Sequence, residues 1–306
     1  MKRILSFCLV GILSCLIIFS LSSYKNAPSS TPTEVLQFSD STKFASVSLN
    51  VELPIAQGGA VLDTTLVLKN EGDSLILVPR TGGTALQSIR NLLILIIDFH
   101  LRIAAFAVLN DGETFPSYVG DFDNTEALLA YYLKHVMKAF SDDAKECESK
   151  FICDFSISLR SESEKYICFY SEKYLYLGGA HGLTGGEGSL TFDKTSGKLL
   201  TNFLIEDCEE AIQPVLRKGL IQYFLKYEYG DVTDENLHKF LSISFNNRNT
   251  LIPLPDWTPS PTPEGLVFTY GEYEIACYAC GRPTFTVPYS DILPFLTPEA
   301  KKLLML

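Results

Sequence analysis

The stretch GGAHGLTGGEG, residues 178–188, sets His181 among six glycines. An imidazole can serve as a general base, a metal ligand or a hydrogen-bonding contact to a ligand, and each use demands different neighbours. The chain holds four histidines, and the other three, His100, His135 and His238, sit in helical or apolar surroundings where packing roles are commoner. No G-x-S-x-G, H-E-x-x-H or Gly-Lys-Ser/Thr pattern occurs. The residues therefore define no catalytic set and no metal site. A hydrolase would have to combine His181 with an acid such as Glu187 or Asp193. Gly178 and Gly179 at a strand end read as a bulge or a close approach of two backbones, with Gly182 leading into a flexible loop. His181 is accordingly expected to be structural or ligand-facing.

Cysteine is the second source of chemistry. Cys8 and Cys15 fall in an apolar N-terminal stretch, which leaves Cys147, Cys153, Cys168, Cys208, Cys277 and Cys280 in the body. An even set suits disulfides in an oxidising compartment, and spacing alone leaves every pairing open. Cys277-Tyr278-Ala279-Cys280 has C-x-x-C spacing, which fits redox chemistry or half of a zinc site. No second C-x-x-C or following H-x-x-x-H-type pair completes a zinc set. Structural disulfides or buried thiols are the plainer expectation.

Lys2 and Arg3 precede the apolar run Ile4 to Leu21, and the polar SSYKNAPSSTPTE follows. That order is an export signal. The run is also long enough to remain as a membrane anchor. Tyr24 stands where a lipoprotein needs cysteine after Leu21-Ser22-Ser23, and apolar residues continue past Cys15, so lipidation stays open rather than favoured. The chain is expected to be exported: periplasmic or extracellular, or tethered to a membrane by this segment alone. The formal charge of −11 becomes −13 once residues 1–22, with Lys2 and Arg3, are removed. An acidic body without long charge runs argues against nucleic acid and would steer a cationic partner, although solubility alone also explains it.

The elements that must position these groups follow from periodicity. Residues 23–45 read as a polar linker, and strands are expected at 46–54, 61–68 and 74–79. In TALQSIRNLLILIIDFHLRIAAF, residues 84–106, Leu86, Ile89, Leu93, Ile96 and His100 recur at helical steps. A second helix starts after Asn124, a suitable N-cap, and runs to 140. The period then changes: Phe151, Cys153, Phe155, Ile157 and Leu159 alternate with polar residues as a half-buried strand, and 151–200 reads as antiparallel hairpins. A helix over 206–227 restarts at Pro214, and a short one is expected at 234–245. NNRNTLIPLPDWTPSPTPEG is expected to be an irregular surface segment. It offers Trp257 either as an exposed ligand anchor or as a pin holding the loop to the core. The fold class is α+β, with antiparallel or mixed sheets, packed helices and two subdomains, 46–145 and 146–306.

In order, YLYLGGAHG, FDKTSGKLL, a long helix and GLVFTYGEYEIACYACGRPTFTVPYSDI resemble the ectodomain of the sigma-V anti-sigma factor and the N-terminal region of certain peptidoglycan deacetylases. The resemblance is strongest from Tyr174 to Leu304 and extends over 44–140, where ALQSIRNLLI matches the first helix of the companion domain. It implies a deacetylase-type N-terminal domain followed by the C-terminal domain of the anti-sigma factor. Because the anti-sigma member is a lysozyme receptor, it also implies lysozyme or peptidoglycan fragments as ligand. Only Met1-Lys2-Arg3 precede the apolar stretch, so no sigma factor is expected as partner. No metal-dependent deacetylase domain follows, so neither that activity nor a cofactor is expected. The family usually reads YEIAPYAAG where this chain reads YEIACYACG, which gives Cys277 and Cys280 a local structural role. The expectation is a non-catalytic extracytoplasmic binding module contacting ligand through His181, Gly178, Gly179, Gly182 and Trp257. An envelope hydrolase using His181 and a purely structural envelope protein are the alternatives.

Overall fold

The computed structural model describes residues 31–56, 84–108, 118, 120, 124–146, 148–226, 230–245 and 249–306. The N-terminal apolar stretch expected to be an export signal, the strands expected at 61–68 and 74–79, and Cys147 lie outside the described residues. The architecture is α+β, as the sequence pattern predicts. Strands β1 (Thr33–Ser41), β2 (Ala45–Pro54), β3 (Phe151–Glu162), β4 (Tyr166–Tyr176) and β5 (Leu183–Asp193) form one sheet in sequential order. The pairs β1–β2, β3–β4 and β4–β5 are antiparallel, whereas β2–β3 is parallel. Residues 33–41, read as linker, are thus the edge strand β1: Val35 and Phe38 give a polar-looking segment enough β-forming side chains to pair along its whole length with β2.

A parallel pair needs a crossover, and helices α1 (Ala85–Phe106) and α2 (Thr125–Glu146) lie in the chain between β2 and β3. Thr84 caps α1 by accepting from the Gln87 amide at 3.2 Å, and Asn124 caps α2 by accepting from Ala127 at 3.1 Å. Ile89, Leu93, Ile96 and His100 of α1 are buried as their spacing predicts. They join Leu128, Leu129, Tyr132, Val136 and Phe140 of α2 over Val47, Leu49, Val51, Phe151, Phe155 and Ile157 of the sheet. Burial at this scale is the main favourable term holding helices to sheet.

A second core lies beyond β5. It holds α3 (Gln213–Lys226), the three-stranded antiparallel sheet of β6 (Ser260–Thr262), β7 (Gly265–Thr269) and β8 (Thr284–Val287), and the short helices α4 (Tyr289–Ile292) and α5 (Pro298–Leu304). Two expectations change here. Residues 234–245 form two 3₁₀ turns, Leu237–Lys239 and Ile243–Phe245, in place of a helix. The proline-rich segment ends not as irregular surface but as β6, whose three residues are buried. Pro261 is tolerated because β6 is an edge strand that pairs with β7 alone in its sheet.

The large sheet serves both cores because β3 carries a bulge between Leu159 and Ser161. One extra residue reverses which face a side chain occupies. Phe151, Cys153, Phe155 and Ile157 point into the helix-covered core, but Ser161 turns to the other face and its hydroxyl donates to the Pro261 carbonyl of β6. Ser189 and Thr191 are buried on the same face as Cys168, whose thiol lies 3.2 Å from the Ser189 hydroxyl. Such small side chains let β6 approach closely.

Arg90 ties the N-terminal part together. From α1 its guanidinium donates to the Pro54 carbonyl at 3.1 Å and the Thr125 hydroxyl at 2.9 Å, and it pairs with Glu34 of β1 at 2.5 Å. Replacing Arg90 by Met keeps the aliphatic stem and removes all three bonds. The expected cost is about 2 kcal/mol in urea unfolding at constant m-value. An unchanged midpoint would show that these bonds hold nothing.

Candidate functional site

His181 lies in the connection between β4 and β5, half-buried. Its Nδ1 is 3.1 Å from the Gly182 carbonyl, and its Nε2 is 2.8 Å from the Tyr273 hydroxyl. A carbonyl only accepts, so Nδ1 carries the proton and, in the neutral ring, Nε2 accepts from the tyrosine. The imidazole face stacks on Tyr278, with centroids 3.7 Å apart and planes 14° from parallel. Tyr273 and Tyr278 come from the β7–β8 connection, so two distant loops meet at this histidine. The Thr184 amide, which donates to Glu272 at 3.3 Å, adds a second tie between them. Burial raises the Tyr278 phenol above its usual range, and Tyr174 and Glu272 act in the same direction.

The glycines explain how the loops come so close. Gly178 and Gly179 hold φ of +91° and +90°, the left-handed region that L side chains avoid, and Tyr176 donates to the Gly179 carbonyl at 3.0 Å across the turn. Gly182 is buried: a Cβ there would stand 2.5 Å from the Tyr174 ring and 2.7 Å from the Leu175 carbonyl. Tyr273 is the opposite case. It adopts φ +66° with no glycine to ease it, and 54% of its surface is exposed. A tyrosine held in that region costs on the order of 1 kcal/mol, and such strain gathers at functional positions.

Trp257 belongs to a different cluster. Its ring faces the Arg282 guanidinium at 4.1 Å and Tyr170 at 5.9 Å, and it lies over Gly188, where a Cβ would come within 3.2 Å. Arg282 also donates to the Tyr170 hydroxyl at 2.7 Å and pairs with Glu172 at 3.2 Å. Burial works against the charge of Arg282, but Tyr170 and Glu172 more than offset it and raise its pKa. The half-buried Trp257 therefore pins the proline-rich segment to β4 and β5.

The acid proposed beside His181 is elsewhere. Asp193 closes the far end of β5, on the order of 30 Å along an extended strand, and accepts from the Thr195 and Ser196 amides at 2.7 and 2.9 Å. The side chain of Glu187 lies outside the described residues. Cys153, Cys168 and Cys208 are buried, and burial pushes Cys153 up to about 12 and raises the other two. Cys153 faces the helix-covered core and Cys168 the second core, so the sheet separates them. Cys277 is exposed and Cys280 half-buried, and no disulfide joins the described cysteines. Among the described residues no group of three or more His, Cys, Asp or Glu could hold a metal ion, and no helix is long and apolar enough to cross a membrane.

Sequence reasoning reached His181 and its glycines but missed Tyr273, Tyr278 and Glu272. The cue was modest: GEYEIACYACG clusters aromatic and acidic residues in a short connection, but nothing in it announces a left-handed tyrosine.

A family model described as "Protein of unknown function (DUF3298)" matches residues 235–290, the segment that carries both tyrosines. No curated protein matches the chain. Among solved structures, the chain is similar to a crystal structure of a DUF3298 family member from Bacteroides fragilis NCTC 9343. The identity is 14% and the TM-score 0.60, with 90% of this chain and 96% of that chain covered. A DUF3298 family protein from Pseudomonas aeruginosa PAO1 gives 15% identity and a TM-score of 0.49, covering 88% and 96%. The Bacteroides likeness shows a shared fold.

Replacing Gly182 by Ala forces its methyl group against the Leu175 backbone. We expect a loss of about 2 kcal/mol in urea unfolding, against less than about 1 kcal/mol for Tyr273→Phe, which removes one solvent-exposed hydrogen bond to His181. Equal costs would mean that close backbone approach is not what shapes this loop.

Proposed function

We propose that the chain is a non-catalytic binding module of the cell envelope, exported by its N-terminal segment, and that the His181–Tyr273–Tyr278 cluster contacts its ligand. The observation that carries this is Tyr273. It is a large aromatic, mostly exposed, that adopts a costly backbone conformation and hydrogen-bonds to His181. Folding gains little from such a residue, whereas rigid, exposed aromatics are the usual anchors of binding surfaces. The chemistry of His181 supports contact over base catalysis, since its accepting nitrogen already accepts a hydrogen bond from the Tyr273 hydroxyl.

The resemblance to the lysozyme-receptor ectodomain favours lysozyme as ligand, with peptidoglycan fragments as the other class. Lysozyme is strongly basic, and the body without residues 1–22 carries a formal charge of −13 after Lys2 and Arg3 are lost. Opposite charge speeds encounter and makes it salt-sensitive, while the aromatic contacts supply affinity.

Calorimetry of the body with lysozyme at low and moderate salt tests the reading. Binding heat is expected in both, with a weaker Kd at higher salt, and Tyr273→Ala is expected to weaken binding at least about tenfold, or 1.4 kcal/mol. Absence of heat at either salt rules lysozyme out, and the same titration with peptidoglycan fragments then takes its place. Full binding by Tyr273→Ala removes the cluster from the interface. Turnover of acetylated glycan, ester or peptide substrates, abolished in His181→Ala, would establish the hydrolase instead.

A further inference from the structure

The turn beneath the aromatic cluster carries a second chemistry. Residues Tyr278–Cys280 form a 3₁₀ turn, with Cys277 as the residue before it. Cys277 caps the turn with an extended backbone, and the tight turn brings the chain back so that Cys277 and Cys280 lie side by side. The Cys280 amide donates to the Cys277 carbonyl at 2.9 Å, and the two Sγ atoms approach to 2.6 Å. The turn is held from below as well: the Tyr223 hydroxyl of α3 donates to the Cys280 carbonyl at 2.7 Å. Gly281 follows at φ +69° and lets the chain leave the turn. Unlike the three buried cysteines, Cys277 is open to solvent.

We propose that Cys277 and Cys280 are a redox-active dithiol whose co-substrate is a disulfide, and that the ring closed on oxidation fixes Tyr278 against His181. The thiolate of Cys277, the accessible member, attacks one sulfur of a disulfide such as oxidised glutathione and expels one thiol. The thiolate of Cys280 then attacks Cys277 Sγ in the mixed disulfide and expels the second thiol. Both protons and both electrons of the dithiol end on the two released thiols, and one new S–S bond closes the turn. Tyr278 lies between the two cysteines, so the closed ring restrains the residue that stacks on His181 at 3.7 Å. The dithiol needs no ligand at the cluster, so it stands or falls apart from the binding reading.

The test uses the full chain. Arg282 precedes Pro283, so trypsin releases residues 249–301 as one peptide, in which Cys277 and Cys280 are the cysteines. After incubation with dithiothreitol and alkylation under denaturing conditions, this peptide should carry two alkyl groups. After oxidised glutathione it should carry none and be lighter by two hydrogens than the unalkylated reduced peptide. The Cys280→Ser variant should stop at a glutathione adduct on Cys277. In nuclear magnetic resonance spectra the His181 ring signals should shift on oxidation of the native chain and stay in place in Cys280→Ser. Two alkylated cysteines after oxidised glutathione, or a native peptide that stops at the glutathione adduct, overturns the dithiol. Ring closure with unmoved His181 signals overturns the coupling to the aromatic cluster.

Discussion

Strand β4 has no solvent face along its first half, and that constraint organises the chain. Ile167 and Phe169 enter the core beneath the two long helices, while Tyr166 and Cys168 enter the core built by the C-terminal segment. Alternation along a strand usually separates core from water. Here it separates one core from another. Because β4 must be buried on both sides, its neighbours must switch allegiance along their length. The bulge in β3 does this by turning Ser161 toward Pro261. The buried pair Ser189 and Thr191 keeps that second face small enough for β6 to lie against it.

The candidate site is a consequence of the same arrangement. Where β4 ends, the chain turns through Gly178 and Gly179 and returns as β5, and the β7–β8 connection comes down onto that turn. His181 and Tyr273 are 92 positions apart in sequence and share a hydrogen bond only because both cores are anchored to one strand. Nearby, Arg282 performs the rigid part of the junction, holding Tyr170, Glu172 and Trp257 together. The junction thus has a half-buried clamp and an open aromatic cluster side by side. A rigid scaffold presenting exposed groups from loops is a common way for folds to host binding.

Cysteine chemistry divides along the same line. Inside the cores, burial raises the thiols of Cys153 and Cys168 and keeps them in the protonated, unreactive form. At the surface, the C-x-x-C turn brings two sulfurs together by local geometry alone. Position in the fold, rather than number of cysteines, decides which of them can react.

The sequence by itself determined what is local. Helical spacing from Ile89 to His100 defined α1, Asn124 marked the start of α2, and alternation from Phe151 to Ile157 defined β3, because each signal is written within a few turns or pleats. The glycines around His181 also announced close backbone approach, since little else tolerates it. Tertiary structure decided the rest. It recruited 33–41 and 260–262 as strands, because a partner edge can pair segments whose own propensity is weak. It assigned Trp257 to a clamp. It joined His181 to Tyr273 and Tyr278, and it separated His181 from Asp193 along the length of β5. These outcomes depend on which face of β4 each core occupies, and that depends on contacts between residues far apart in the chain, which no local pattern encodes.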